Sequence, residues 1–337
     1  MAMNRKVVMA ICIVAVIALG SAFVLTQPRA PAGPTKIRMG YIPATTYVLV
    51  WVTYEKGYFT AQGLDVELKA YGSVADLAVA LLKGDIDSAP LTSAAAAAFA
   101  AKAPFVVVGG NSVAGTGLVC KPEKAEKYRS LQDLRDVRIG TVKYVPGDIL
   151  LRYMLKKLNV TSYMVEYITP ADALYALERG DVELSLLWEP FVSLAEARNL
   201  TIFMWDKHIY DFAYPCCLQV FSESFVKAYS EAVTKSLKAM LKAQKFIEEN
   251  PSEAITFARK YLPEVPFKIL FKSIFYVDPV IGRTRNPLTV TVRTEDLQEF
   301  GNMMVDVGLI SKKDLAAFQQ KTDLTFLDRA LKELGAK

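Results

Sequence analysis

Trp188-Glu189-Pro190-Phe191 is the stretch of this 337-residue chain whose residue types point most directly to chemistry. An indole followed by a carboxylate, at the end of the apolar run Leu184 to Leu187, can stack on a planar group and hydrogen-bond to it. The same residues also suit a structural role, with Trp188 packed at a hinge and Glu189 capping a helix. Other polar and aromatic residues stand at comparable points, where an apolar run gives way to a helical pattern. The first half of the chain offers Tyr41, Thr45, Thr46, Tyr47, Ser73, Thr92 and Ser93, with Asn111 after the turn signal Gly109-Gly110. A later segment offers Thr141, Lys143, Tyr144, Gly147, Asp148 and Thr169. Helix N-termini at such positions present free N–H groups and partial positive charge, suited to carboxylate, sulfonate, phosphate or nitrate. Taken singly, each residue is as well explained as a cap or a core residue; together the two sets describe a cleft that holds a small molecule.

Catalysis finds little to stand on. The chain has one histidine, His208, with no cysteine or carboxylate partners at metal-ligand spacing, so neither a metal nor another cofactor is expected. No nucleophile elbow, phosphate-binding loop or dinucleotide fingerprint occurs. Of four cysteines, Cys12 falls in an apolar N-terminal run, leaving Cys120, Cys216 and Cys217. These read as small buried residues or as a disulfide from Cys120 to Cys216 or Cys217, which leaves one thiol over. The net charge is +5 and the lysines are scattered on what read as solvated helix faces, so nucleic acid is not an expected partner.

The elements that would position the cleft residues come in a pattern that occurs twice. In the first copy a strand, Lys36 to Gly40, precedes a helix, Val48 to Phe59, and a second strand, Leu64 to Ala70. Ser73 then caps a helix, Val74 to Lys83; Gly84 closes it, and a third strand begins at Asp85. In the second copy the strand Val137 to Gly140, the helix Ile149 to Leu158 and the strand Tyr163 to Ile168 follow the same order. Thr169 caps Pro170 to Arg179, Gly180 ends it, and Asp181 to Leu187 is the next strand. Alternating strands and helices predict α/β architecture, with two lobes, each a mostly parallel sheet with flanking helices. A strand at Leu218 to Phe221 and long helices, Ser222 to Asn250 among them, exceed what the second unit can recruit. The chain is therefore expected to leave lobe 1 near Cys120, build lobe 2 and return near Tyr214. Residues 36–120 and 216–337 then form lobe 1 and residues 121–215 lobe 2, with two crossings acting as a hinge.

The first 35 residues read as a targeting device. Asn4-Arg5-Lys6 precedes an uncharged run from Val7 to Leu25, which suits a cleaved signal peptide or a membrane anchor, and a Pro-rich spacer follows. Either fate places the folded body outside the cytoplasm. Two sequons, at Asn159 and Asn199, matter only in a host that glycosylates exported proteins.

Several of these segments, taken in order, resemble a known family. They are Gly40-Tyr-Ile-Pro43, Glu55-Lys-Gly-Tyr-Phe59, Gly63-Leu-Asp-Val-Glu67, Gly72-Ser73, Leu82-Lys-Gly-Asp-Ile-Asp87 and Trp188-Glu-Pro-Phe191. The set is similar to the nitrate/sulfonate/taurine-type substrate-binding proteins, a group that also holds a fungal thiamine-pyrimidine synthase. The resemblance implies a periplasmic-binding-protein-like fold of the second type and a monomer that delivers a small, anionic or heteroaromatic solute to an ABC permease and its ATPase. It implies no enzyme: Pro215-Cys216-Cys217-Leu218 is only faintly like the synthase's cysteine motif, and no histidine lies in residues 36–120. The synthase activity and a membrane-tethered sensory module are the alternatives it leaves.

Overall fold

The computed structural model describes residues 33–209 and 214–335. The apolar run at residues 7–25 lies outside them, and no helix among the described residues is long and apolar enough to cross a membrane. Its main strands, in chain order, are β1 (Thr35–Tyr41), β2 (Leu64–Ala70), β3 (Ser88–Thr92), β4 (Phe105–Val113), β5 (Thr116–Cys120), β6 (Val137–Thr141), β7 (Tyr163–Tyr167), β8 (Leu184–Trp188), β9 (Thr201–Trp205) and β10 (Pro215–Ser222). They form two five-stranded sheets, ordered β2-β1-β3-β10-β4 and β7-β6-β8-β5-β9, with helices on their faces: a two-lobed α/β fold.

The repeat seen in the sequence is built the same way in both lobes. In the first, the Ser73 hydroxyl accepts the Asp76 N–H at 3.1 Å, and Gly84 ends the helix Val74–Lys83 at φ 74°. In the second, the Thr169 hydroxyl accepts the Asp172 N–H at 3.2 Å, and Gly180 ends the helix Pro170–Arg179 at φ 85°. A side-chain cap of this kind contributes about 1 kcal/mol, and a left-handed C-terminal residue is cheapest as glycine.

Each sheet is parallel except for one strand. β10 runs antiparallel to both β3 and β4, and β5 runs antiparallel to both β8 and β9. The reason is topological. The chain leaves β4 at its carboxyl end, crosses at Ala114-Gly115, and enters the second sheet from the cleft side, so β5 must run back down. The return from β9 to β10 imposes the same reversal on the first sheet. The first crossing thus lies ahead of the expected point: Cys120 already belongs to the second sheet.

Three other expectations change. The predicted helix Ser222 to Asn250 is two helices, Glu223–Ala228 and Ser230–Glu249, broken at Tyr229, whose backbone is not helical (φ −138°, ψ 45°). The segment 267–285 does not stay on the first lobe: the helix Phe267–Phe275 packs on the helix Phe191–Ala197, and Arg283 pairs with Asp206 at 2.6 Å. Gly109-Gly110 is not a turn but lies inside β4, where the backbone of 289–291 passes alongside. A Cβ on Gly110 would sit 2.9 Å from the carbonyl oxygens of both Thr289 and Thr291. Backbone cannot yield as a side-chain tip can, so Gly110→Ala should destabilise the protein by about 1–3 kcal/mol, measured by denaturant unfolding.

Candidate ligand-binding cleft

The carboxyl ends of β1, β3, β6 and β8 face one another across the gap between the sheets. An outer cleft of about 720 Å³ is lined from the first lobe by Ile42, Ala44, Tyr71 and Ser73, and from the second by Lys143, Tyr167, Thr169, Trp188 and Phe191, among others. Beneath it an inner pocket of about 40 Å³ is walled by Thr46, Tyr47, Thr92, Thr116, Trp188, Cys216 and Cys217 with apolar neighbours. Trp188 borders both spaces, and its ring meets Phe191 edge-on at 6.0 Å. No ionisable acid or base other than the phenol of Tyr47 and the two thiols lines the inner pocket, while Lys143 and Asp172 are the charged residues of the outer cleft.

Of the residues expected in the cleft, Thr46, Tyr47, Ser73, Thr92, Lys143, Thr169 and Trp188 line it. The others lie behind the wall and hold it in place. Tyr41 turns into the first lobe, edge-on to Trp51 and Tyr261 at 5.6 Å each. Ser93 donates to the Pro215 carbonyl, and the Asn111 amide donates to the Thr46 carbonyl, fixing the ends of the pocket wall. Thr141 is buried at the end of β6, and Gly147 lets the helix Pro146–Lys157 lie against Thr116, whose Cγ2 would be 2.5 Å from a Cβ there. Asp148 is buried in an ion pair with Arg152 at 2.9 Å; burial pushes its carboxyl up against the pull of that arginine.

Among the hydrogen bonds between the lobes, two lie beside the cleft. Thr92 donates to the carbonyl of Tyr144 at 2.6 Å while capping its own helix, and Tyr144 is held in a left-handed conformation (φ 64°) to receive it. Thr45 donates to the carbonyl of Glu189 at 2.8 Å and accepts from Asn286 at 3.3 Å.

The Glu189 side chain points away from the ligand space. It is fully buried, accepts from the Ser193 N–H and hydroxyl at 3.0 Å each, and lies 3.5 Å from Arg285. Arg285 is itself buried, paired with Asp278 at 2.8 Å and with Glu196, its guanidinium 4.8 Å from the Trp205 ring centre. Of the two readings of Glu189, the geometry is that of the helix cap, and its side chain does not line the cleft. Of the two readings of the cysteines, small buried residues or a disulfide, the first is met: Cys120, Cys216 and Cys217 are buried free thiols, and β5 and β10 belong to different sheets.

Cleft residues that escaped the sequence reading are mainly Thr116, Cys216 and Cys217 as wall residues, with Val145 and Pro146. Their common signal is visible only in the pairing. Thr116 is opposite Trp188 and Cys217 opposite Thr92, so the first residues of the antiparallel strands lie beside the last residues of the parallel ones.

A model of the NMT1-like family matches residues 30–260, most of the chain. The chain belongs to the NMT1-like family. A binding protein of Brucella abortus (strain 2308) is 24% identical over 258 residues, 73% of this chain and 77% of that relative. The periplasmic nitrate-binding protein NrtA of Synechocystis PCC 6803 shares the fold with a TM-score of 0.77 at 17% identity, over 91% of this NMT1-like chain and 90% of its own. The ligand-binding component of an ABC-type import system from Staphylococcus aureus, solved with zinc bound, superposes with a TM-score of 0.74 at 16% identity, over 88% and 99%. The two-lobed periplasmic-binding-protein-like fold expected from the sequence is thereby met, and the nitrate-type resemblance with it.

Glu189 gives this NMT1-like protein a pH signature. Burial pushes the Glu189 carboxyl up to about 7, against the opposing pull of Arg285 and Ser193. In the unfolded chain it titrates near ~4.3. Between those values the folded state holds the proton more tightly, so stability from this group is greatest at low pH and falls as pH rises through 7. Chemical denaturation at pH 5 and pH 8 should show wild type losing on the order of 3 kcal/mol relative to Glu189→Gln over that interval. A wild-type-minus-variant difference that does not change with pH would contradict it.

Proposed function

We propose that this chain is the extracytoplasmic solute-binding component of an ABC importer, and that it captures a small, largely uncharged organic solute between its lobes. The observation that carries the choice of solute is the lining of the cleft. Its floor is largely apolar and has no salt-bridging group, the hydroxyls of Tyr47, Thr92 and Thr116 being bonded within the protein, and Trp188 lies at the junction of floor and mouth. A free inorganic anion would be stripped of water there without a cation to replace it, a cost of several kcal/mol per ion. A planar heteroaromatic or short aliphatic body stacks on Trp188 and packs against the apolar wall formed by Ile42, Ala44, Val74 and Val145. The anionic part of the sequence expectation survives only at the mouth, where Lys143 lies.

Family membership and a fold shared with import-system binding components support the transport reading, and the apolar run at residues 7–25 supports export or tethering. The lobes divide at Ala114-Gly115 and again between β9 and β10, and closure about these crossings buries the solute. The Thr92–Tyr144 and Thr45–Glu189 bonds are the contacts of the closed form. We assign the chain no catalytic role, since its histidine stands outside the cleft wall, with Nδ1 accepting from the Trp205 N–H at 3.3 Å. The partners that follow are the solute, a permease with its ATPase, and the membrane if the N-terminal segment is retained.

A thermal-shift screen tests this directly. A solute present at a hundred times its Kd adds about 2.7 kcal/mol to the folded state and raises the melting temperature by several degrees. Pyrimidines, flavins and neutral heteroaromatics should shift the melt more than nitrate or simple alkanesulfonates. Trp188→Ala should abolish the shift without lowering the unliganded melting temperature by as much as a core substitution would. A shift confined to nitrate or sulfonates, or one that survives Trp188→Ala, would reverse the assignment of solute class.

A further inference from the structure

The two adjacent cysteines at the floor of the cleft are placed there by a fault in the strand. Neighbouring residues of a regular strand point to opposite faces of the sheet. The pairing of β10 with β4 slips on both sides of Cys217, a bulge that turns both side chains into the inner pocket. Their sulfurs are 3.9 Å apart, and the two residues are only 6% and 2% exposed. The hydroxyls of Ser112 and Thr46 lie against these sulfurs.

Two chemistries use such a pair. A disulfide between neighbours must bridge Cα atoms ~3.8 Å apart, short of the usual ~4.4–6.8 Å. A single ion ~2.3 Å from each sulfur instead requires a sulfur separation of roughly 3.7–4.0 Å for tetrahedral to trigonal angles. The observed separation matches the second. The geometry points to a binding site for a soft, thiophilic cation of the Cu(I) class, held by Cys216 and Cys217 with a third position open to the cleft. Zinc would require about four nitrogen, sulfur or oxygen ligands, and no group of three or more histidines, cysteines or carboxylates stands together among the described residues. Thiolates without hard ligands select Cu(I). Each sulfur that ligates gives its proton to solvent. With no basic residue in the inner pocket, the bound cation offsets one of the two thiolate charges and the site keeps a net charge of minus one, carried on sulfurs that face the cleft.

The site rests on the solute-cleft reading only in that its open position faces the space where solute enters. Cation binding is therefore measured with no solute present, so failure of either reading leaves the other standing. Cu(I) is titrated into the reduced full chain without oxygen, in competition with a chromogenic Cu(I) chelator. One equivalent should bind, with affinity rising with pH as protons are released. Cys216→Ser and Cys217→Ser should each weaken it by more than about 100-fold. Cys12→Ser and Cys120→Ser should leave it unchanged. Because a serine variant can fail to fold, X-ray absorption of the wild-type complex gives a second reading, two sulfurs at ~2.3 Å from one ion. Serine variants that keep full affinity, a spectrum with fewer than two sulfurs, or a stable Cys216–Cys217 disulfide in the isolated protein would each overturn the site.

Discussion

The direction in which the chain must re-enter each sheet governs the whole cleft. A chain that leaves one lobe at the carboxyl ends of its strands arrives at the other lobe from the same side, so the arriving strand is antiparallel to its neighbours. Its first residues then lie beside the last residues of the parallel strands. That single constraint places Thr116 beside Trp188 and Cys217 beside Thr92, and makes the pocket floor a meeting of strand starts and strand ends. It also confines the connections between sheets to the cleft.

The second organising feature is the charge buried behind Glu189 rather than on the floor of the cleft. Arg285 is sandwiched near Trp205 and Tyr276 and engages Asp278, Glu189 and Glu196, joining the 267–285 segment to the second lobe. Buried ion pairs of this kind are expensive to desolvate, and their value lies more in fixing one arrangement than in adding stability. Here the arrangement they fix includes the backbone of Glu189, whose carbonyl receives Thr45 from the opposite lobe. The floor of the cleft itself stays free of charge, so the buried ion pairs and the pocket lining are built from separate sets of residues.

Much of this was legible in the chain. The twofold order of strand, helix, strand, capped helix and glycine is local in origin: Ser73 and Thr169 accept N–H groups three residues on, and Gly84 and Gly180 occupy left-handed positions. Such features depend on a few consecutive residues, so two similar α/β lobes and half of the cleft wall follow from sequence alone. Tyr41 and Asn111 misled because a residue at a strand end can face either side of it, and nothing local says which. Gly109-Gly110 misled because a glycine that makes room for passing backbone has the same letter as one that makes a turn.

What the amino-acid sequence determined by itself was therefore the class of fold, its duplication, and Trp188 as a wall of the cleft. The tertiary structure alone decided that Glu189 faces inward to Ser193 and Arg285, nearly a hundred residues away in the latter case. It alone decided that adjacent cysteines share one face, since that needs a slipped register between strands distant in sequence. Caps and turns are set by neighbours along the chain. The charge and polarity of a cleft are set by which distant strands meet there, and that is a property of the pairing.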